Sequence, residues 1–116
     1  ARTMIEQVRP RELASWFTRN GVATPALVLD VREPAEWRTA SIPSGDFTVL
    51  PMSMGTVPAR LQELDPLVPI ACLCHHGARS MQVAQFLADR GFAQVANIAG
   101  GIDAWSVELD STVARY

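Results

Sequence analysis

Apolar residues along the chain alternate between two patterns: short continuous runs of strand length, and longer stretches in which they recur every three or four positions. The runs at residues 26–31, 47–50, 69–74 and 94–98 have the near-continuous hydrophobicity of strands covered on both faces, as in parallel sheets. Between them, Leu13, Trp16 and Phe17 fall on one helical face after Pro10 and Glu12, with Asn20-Gly21 as the stop. Pro34 suits the first turn of a short helix through Ala35, Glu36 and Trp37, since its missing N–H would have no partner there. Residues 55–65 read as a helix with Val57, Leu61 and Leu64 inward, ended by Pro66. From Ser80, a helix turns Val83, Ala84, Leu87 and Ala88 inward and Gln82, Gln85, Asp89 and Arg90 outward. Gly91 ends it as a left-handed cap, with Phe92 placed to pack back on Leu87. Gly100-Gly101 is a tight turn before one or two helical turns at Ile102–Trp105, and the tail 108–116 has no clear period.

Strands alternating with helices predict an α/β fold, with a mainly parallel central sheet of about five strands, helices on both faces and right-handed crossovers. No repeat, low-complexity run or linker interrupts the order, so residues 1–116 are expected to form one domain. In such sheets sites lie beyond the carboxyl ends of strands. Cys74 falls at one such end, between a strand and a long helix. There, unpaired backbone N–H groups and the positive end of the helix dipole favour thiolate over thiol.

Composition narrows the field. The chain has 116 residues, 48% hydrophobic and 19% charged, enough for one packed core. A net charge of −2 and ten scattered Lys and Arg make nucleic acid a poor partner. The longest uncharged apolar-rich stretch, 66–78, falls short of the roughly 20 residues that span a bilayer, so no membrane partner is expected. The amino end carries an acid where a secretory signal has its apolar core, and since residue 1 is not Met an upstream segment stays open. The two cysteines, Cys72 and Cys74, would point the same way on a strand with α-carbons about 6.6 Å apart, at the edge of disulfide geometry. Free thiols fit a reducing compartment such as the cytoplasm.

Four charges, Asp30, Arg32, Glu33 and Glu36, crowd the end of the strand at 26–31. They read as a solvated turn or as ion pairs bracing a nearby site. Nothing in their spacing marks a metal site.

His75, His76, Gly77 and Ala78 separate Cys74 from Arg79. A loop this short can curl around the sulfur with its N–H groups inward, Gly77 supplying the positive φ, and would hold an anion or an anionic sulfur. Three roles for Cys74 are open: a core thiol like Cys72, a metal ligand with Cys72, His75 and His76, or a nucleophile. The histidines and arginine beside it favour the nucleophile. A cysteine-dependent phosphatase needs a wider cradle for the equatorial phosphoryl oxygens, whereas a smaller one suits the terminal sulfur of thiosulfate or a persulfide.

With these residues the chain resembles the rhodanese-like sulfurtransferases, specifically their small single-domain bacterial form. The resemblance is carried by residues 29–34 with Glu36, by Ile42-Pro43, by the loop Cys74-His75-His76-Gly77-Ala78-Arg79-Ser80, by Arg90-Gly91-Phe92, and by residues 99–105. It implies the rhodanese-like fold and transfer of sulfane sulfur, from a donor such as thiosulfate to cyanide or a thiol, through a persulfide on Cys74. His75, His76, Gly77, Ala78, Arg79 and Ser80 are then the substrate cradle, and no metal or organic cofactor is needed. Other expectations stand beside it: a persulfide-carrying or redox-sensing module serving a protein partner or, less favoured, a phosphatase or arsenate reductase. His75 and His76 are read as rim residues that attract an anionic donor when protonated. Arg79 faces either that anion or a carboxylate such as Asp30 or Glu36.

Overall fold

A computed structural model describes residues 4–20 and 26–116. Five strands, β1 (Glu6–Val8), β2 (Ala26–Asp30), β3 (Phe47–Pro51), β4 (Ile70–Leu73) and β5 (Val95–Ile98), form one sheet in the order β1-β5-β4-β2-β3. Every pairing is parallel, with Asp30 beside Leu73 and Cys72 beside Asn97. Among the described residues four α-helices, α1 (Leu13–Arg19), α2 (Pro34–Thr39), α3 (Ala78–Asp89) and α4 (Gly101–Glu108), connect or follow the strands.

Alternation along the strands divides the core between two faces. Val28, Ala71, Leu73, Ala96 and Ile98 pack with Leu13, Trp16 and Phe17 of α1 and Ile102 and Trp105 of α4. Leu29, Ile70 and Cys72 pack on the opposite side with Val83, Ala84 and Leu87 of α3. Cys74 belongs to that second face, two residues on from Cys72, as the strand period requires. Both thiols are free.

The expected strands and the helix after Ser80 are present, and α3 already begins at Ala78. Its stop is as expected: Gly91 has φ +93°, and the Phe92 N–H donates to the Leu87 carbonyl at 3.1 Å. Two expectations change, and two features stand outside what the sequence pattern predicted. Residues 55–65 are not one α-helix but two 3₁₀ turns, Met54–Thr56 and Pro58–Glu63. Pro58 has no N–H to continue an α-helical ladder, so the chain tightens while still burying Val57 and Leu64. The helix expected after Pro10 opens with a 3₁₀ turn, Pro10–Glu12. At its other end the Asn20 side chain donates to the Trp16 carbonyl at 2.8 Å, while Gly21 lies outside the described residues. β1 was not expected; it is a three-residue edge strand. The segment after α4 is also ordered, with Val113 buried in the core and its carbonyl accepting from the Ser106 hydroxyl at 2.7 Å.

The connection from β2 leads outward to β3, while that from β4 leads the other way to β5. Their carboxyl ends therefore flank the crevice where a parallel sheet exposes a site. Cys74 leaves one side of that crevice and the chain from Asp30 to Glu36 the other. Among the described residues, no helix is long and apolar enough to cross a membrane.

Candidate active site

β4 ends at Leu73, and Cys74 enters a tight loop that becomes α3 at Ala78. Gly77 turns the corner with φ +108°, a conformation that strains residues bearing a Cβ. This aims its N–H at the Cys74 sulfur, 3.1 Å from Sγ. The loop carbonyls are pulled the other way. Ile102 N–H donates to the Cys74 carbonyl at 2.9 Å and Asp103 N–H to the His75 carbonyl at 3.1 Å, both from the first turn of α4. The Gly77 carbonyl accepts from Met81 N–H at 3.2 Å and from Asn97 Nδ2 at 3.1 Å. With these acceptors engaged elsewhere, the Gly77 N–H is the loop donor that reaches the sulfur, as in an anion-binding turn.

The Ser80 hydroxyl completes the pocket floor, 3.2 Å from Cys74 Sγ and 2.5 Å from Asn97 Oδ1. A hydroxyl carries one hydrogen, so it accepts from a thiol while donating to Asn97, and must turn to donate to an anionic sulfur. Asn97 is a residue of the site that the sequence pattern did not single out. Its signal was a polar amide within the apolar run of β5, where burial demands partners. It also donates to Gln7 Oε1 of β1 at 2.9 Å, which ties the edge strand to the site.

The charges after β2 are mostly not a solvated turn. Arg32 and Asp30 are buried and joined by two hydrogen bonds, Nε to Oδ1 at 2.9 Å and Nη2 to Oδ2 at 2.7 Å. Burial opposes the Arg32 charge, but Asp30 and the Tyr116 oxygen outweigh it and raise its pKa. Glu36, on α2, accepts both ends of the Arg79 guanidinium at 2.6 and 2.9 Å. Thus Arg79 turns to Glu36 rather than Asp30, in the planar two-bond geometry that suits guanidinium and carboxylate. Glu33 alone of the four is exposed without a buried role, and its N–H caps Glu36 Oε1 at 3.1 Å. Arg79 is the main cause holding the Glu36 carboxyl at about 2, helped by the Tyr116 hydroxyl and the Glu33 N–H against the opposing effect of burial. The same pair raises the Arg79 pKa, with Cys74 adding a smaller electrostatic contribution.

At the rim, His75 and His76 stack with centroids 3.9 Å apart, and Tyr116 stacks on His75 at 3.8 Å and 10°. His75 Nε2 lies 2.7 Å from the Tyr116 carbonyl oxygen, which can only accept, so Nε2 carries the hydrogen. His75 is half-buried and His76 exposed, consistent with their expected place at the edge. His75, His76 and Asp103 place donor atoms within 4.8 Å of one another, near enough to suggest a metal. However, Nε2 of His75 is committed to Tyr116, Asp103 is paired with Arg115 at 2.9 Å, and near-parallel rings direct their lone pairs side by side rather than to one point.

The structure therefore brings Cys74, Gly77 and Ser80 together at the sulfur, and sets the Arg79 side chain and both histidines around it. Ala78 is exposed at the start of α3. Cys72 lies behind, in the core, where burial and then the nearby Cys74 push its thiol far above the ordinary range.

Residues 10–108 match the model of the rhodanese-like domain, and the chain belongs to that family. It is 38% identical over 117 residues to the rhodanese-like/PpiC domain-containing protein 12, chloroplastic, of Arabidopsis thaliana, covering 99% of this chain. The chain spans only 38% of that protein's length. A protein named sulfurtransferase from Allochromatium vinosum is 38% identical over 80 residues, covering 69% of this chain and 71% of its own. Among solved structures, reduced Bacillus anthracis CoADR-RHD superposes with a TM-score of 0.76 at 24% identity, covering 95% of this chain and 18% of that one, a likeness of fold.

Proposed function

We propose that the protein is a sulfurtransferase that carries sulfane sulfur as a persulfide on Cys74. The observation that carries this reading is the Gly77 N–H aimed at Cys74 Sγ, in a loop whose Cys74 and His75 carbonyls are held by α4 amides. Such a nest stabilises negative charge on sulfur both before and after transfer. The name of the Allochromatium relative, sulfurtransferase, supports the transfer of sulfur.

With thiosulfate as donor, the Cys74 thiolate attacks the outer sulfur. A sulfur–sulfur bond forms to Cys74, the bond to the sulfonate sulfur breaks, and sulfite leaves with the electron pair. An acceptor then attacks the outer sulfur of the persulfide. Cyanide leaves as thiocyanate and a thiolate leaves as its own persulfide, the Cys74 thiolate being regenerated in either case. No step requires a metal or an organic cofactor. Arg79 is fixed on Glu36 as an ion pair beside the loop, and His75 and His76 offer an edge for an anionic donor. Two free thiols suit a reducing compartment such as the cytoplasm.

The test is the mass of the purified protein after thiosulfate. A gain of one sulfur, about 32 Da, that is lost on cyanide treatment and absent from Cys74→Ser supports the reading; no gain refutes it. A second reading, a persulfide-carrying domain that serves a protein partner, is favoured by the two-domain name and greater length of the Arabidopsis relative. It differs in one result: the persulfide forms from a protein donor, while thiosulfate is not turned over.

A further inference from the structure

Cys74 is 1% exposed, so a donor sulfur has no straight line of approach to it until part of the surroundings moves. Most of those surroundings are fixed. β4 and β5 lie within the sheet, α4 grips the loop through two backbone hydrogen bonds, and Gly101 fits against the Cys74 and His75 carbonyls with no room for a Cβ. Ser80 and Asn97 close the floor.

The segment that follows Val113 is different in kind. Val113 is buried and tied to Ser106, but Ala114, Arg115 and Tyr116 are all exposed. Arg115 is held by its side chain on Asp103, and Tyr116 by its ring and hydroxyl together with its backbone carbonyl, which accepts from His75 Nε2 at 2.7 Å. The Tyr116 ring face lies on His75, its hydroxyl donates to Glu36 Oε2 at 2.6 Å, and the same oxygen accepts from Arg32 Nη1 at 3.2 Å. One residue thus bridges the two sides of the mouth, the histidine edge of the Cys74 loop and the Glu36 carboxylate that holds Arg79. Val113 is the buried anchor from which residues 114–116 run out over the loop.

We propose that Tyr116 is the access-determining residue of the Cys74 site, closing the mouth when it bridges His75 and Glu36 and opening it when residues 114–116 lift. The proposal rests on Cys74 being the reacting sulfur, but not on its forming a persulfide. It assigns Tyr116 a positioning role, acting through His75 and Glu36 rather than touching the reacting atoms. It also explains why a tail without hydrophobic period is nevertheless ordered over the loop.

Cysteine alkylation separates this proposal from the sulfur chemistry. The full chain, Tyr116→Phe and Tyr116→Ala are treated with iodoacetamide under native conditions, and labelling at Cys74 and Cys72 is followed separately by peptide mass. Tyr116→Phe keeps the ring and loses the hydroxyl bonds to the carboxylate and guanidinium, so Cys74 should label about tenfold faster, the equivalent of one lost charge-assisted hydrogen bond. Tyr116→Ala should be faster still. Cys72, just as buried but away from the mouth, is the internal control and should not change. Unchanged labelling of Cys74 in both variants overturns the proposal. So does a parallel rise at Cys72, which would mean general loosening. Because the Phe variant keeps the stack, the test survives if Tyr116→Ala fails to fold. The mass gain after thiosulfate is measured on the same samples, so a failure of sulfur transfer is distinguished from a failure of gating.

Discussion

Gly101 and Cys74 are in such close backbone contact that a methyl group on Gly101 would collide with the Cys74 carbonyl oxygen. Gly101 also has φ +63°, a left-handed conformation that side chains resist. Gly101→Ala should therefore cost about 2 kcal/mol or more of stability, and should release the loop from α4 in the fraction that folds. Urea unfolding and thiosulfate turnover measure the two effects. A variant with parental stability and turnover would show that this contact does not shape the loop.

The two cysteines should behave oppositely. Cys74→Ser is expected to abolish sulfur transfer with the fold intact. Cys72→Ala should retain most of the activity while losing about 1–2 kcal/mol of stability through lost burial in β4. Equal loss of activity in two folded variants would place the chemistry elsewhere.

The Glu36–Arg79 pair gives a signed pH dependence. The Glu36 carboxyl is held at about 2, below its ordinary 4.5, so the pair's contribution to stability is complete above pH 4.5 and is lost as pH falls from there toward 2. Glu36→Gln should be less stable than the parent by about 1–2 kcal/mol at neutral pH. That gap should close on acidification through this window, as followed by chemical denaturation at a series of pH values. A constant gap down to pH 2 would mean the loss came from packing rather than charge.

Replacing both His75 and His76 by Ala should leave the persulfide able to form and should mainly raise KM for a dianionic donor, because neither ring is the source of the N–H that reaches the sulfur. Proton transfer by a histidine would show instead as a fall of about 10²- to 10⁴-fold in kcat. Steady-state kinetics with thiosulfate decide between them.

The strands β2 to β5 were legible because each is a continuous apolar run, and the loop was legible because Cys74, Gly77 and Arg79 stand in an order that few core segments would tolerate. β1 was not, since two of its three residues are exposed and it has no period to read. Pro58 made the 3₁₀ turns foreseeable, but the pattern of Val57, Leu61 and Leu64 fits an α-helix equally well. Asp30 and Arg32 look in sequence like any polar turn; only the register that sets Asp30 beside Leu73 shows that the pair is covered. Tyr116 was beyond reach altogether, because its partners His75, Glu36 and Arg32 are 41, 80 and 84 positions away.

The grip of α4 on the loop has a consequence for transplanting it. Residues 74–80 contain the Cys74 sulfur and the Gly77 N–H that faces it, yet the course of the loop depends on the Ile102 and Asp103 amides, which hold the Cys74 and His75 carbonyls outward. Grafted into another scaffold without residues 100–103, the same seven residues would lose that hold. Their oxygens could then turn toward the sulfur, and a cradle for negative charge would become a surface that repels it. The portable unit is two segments of chain, separated by residues 81–99, that must travel together.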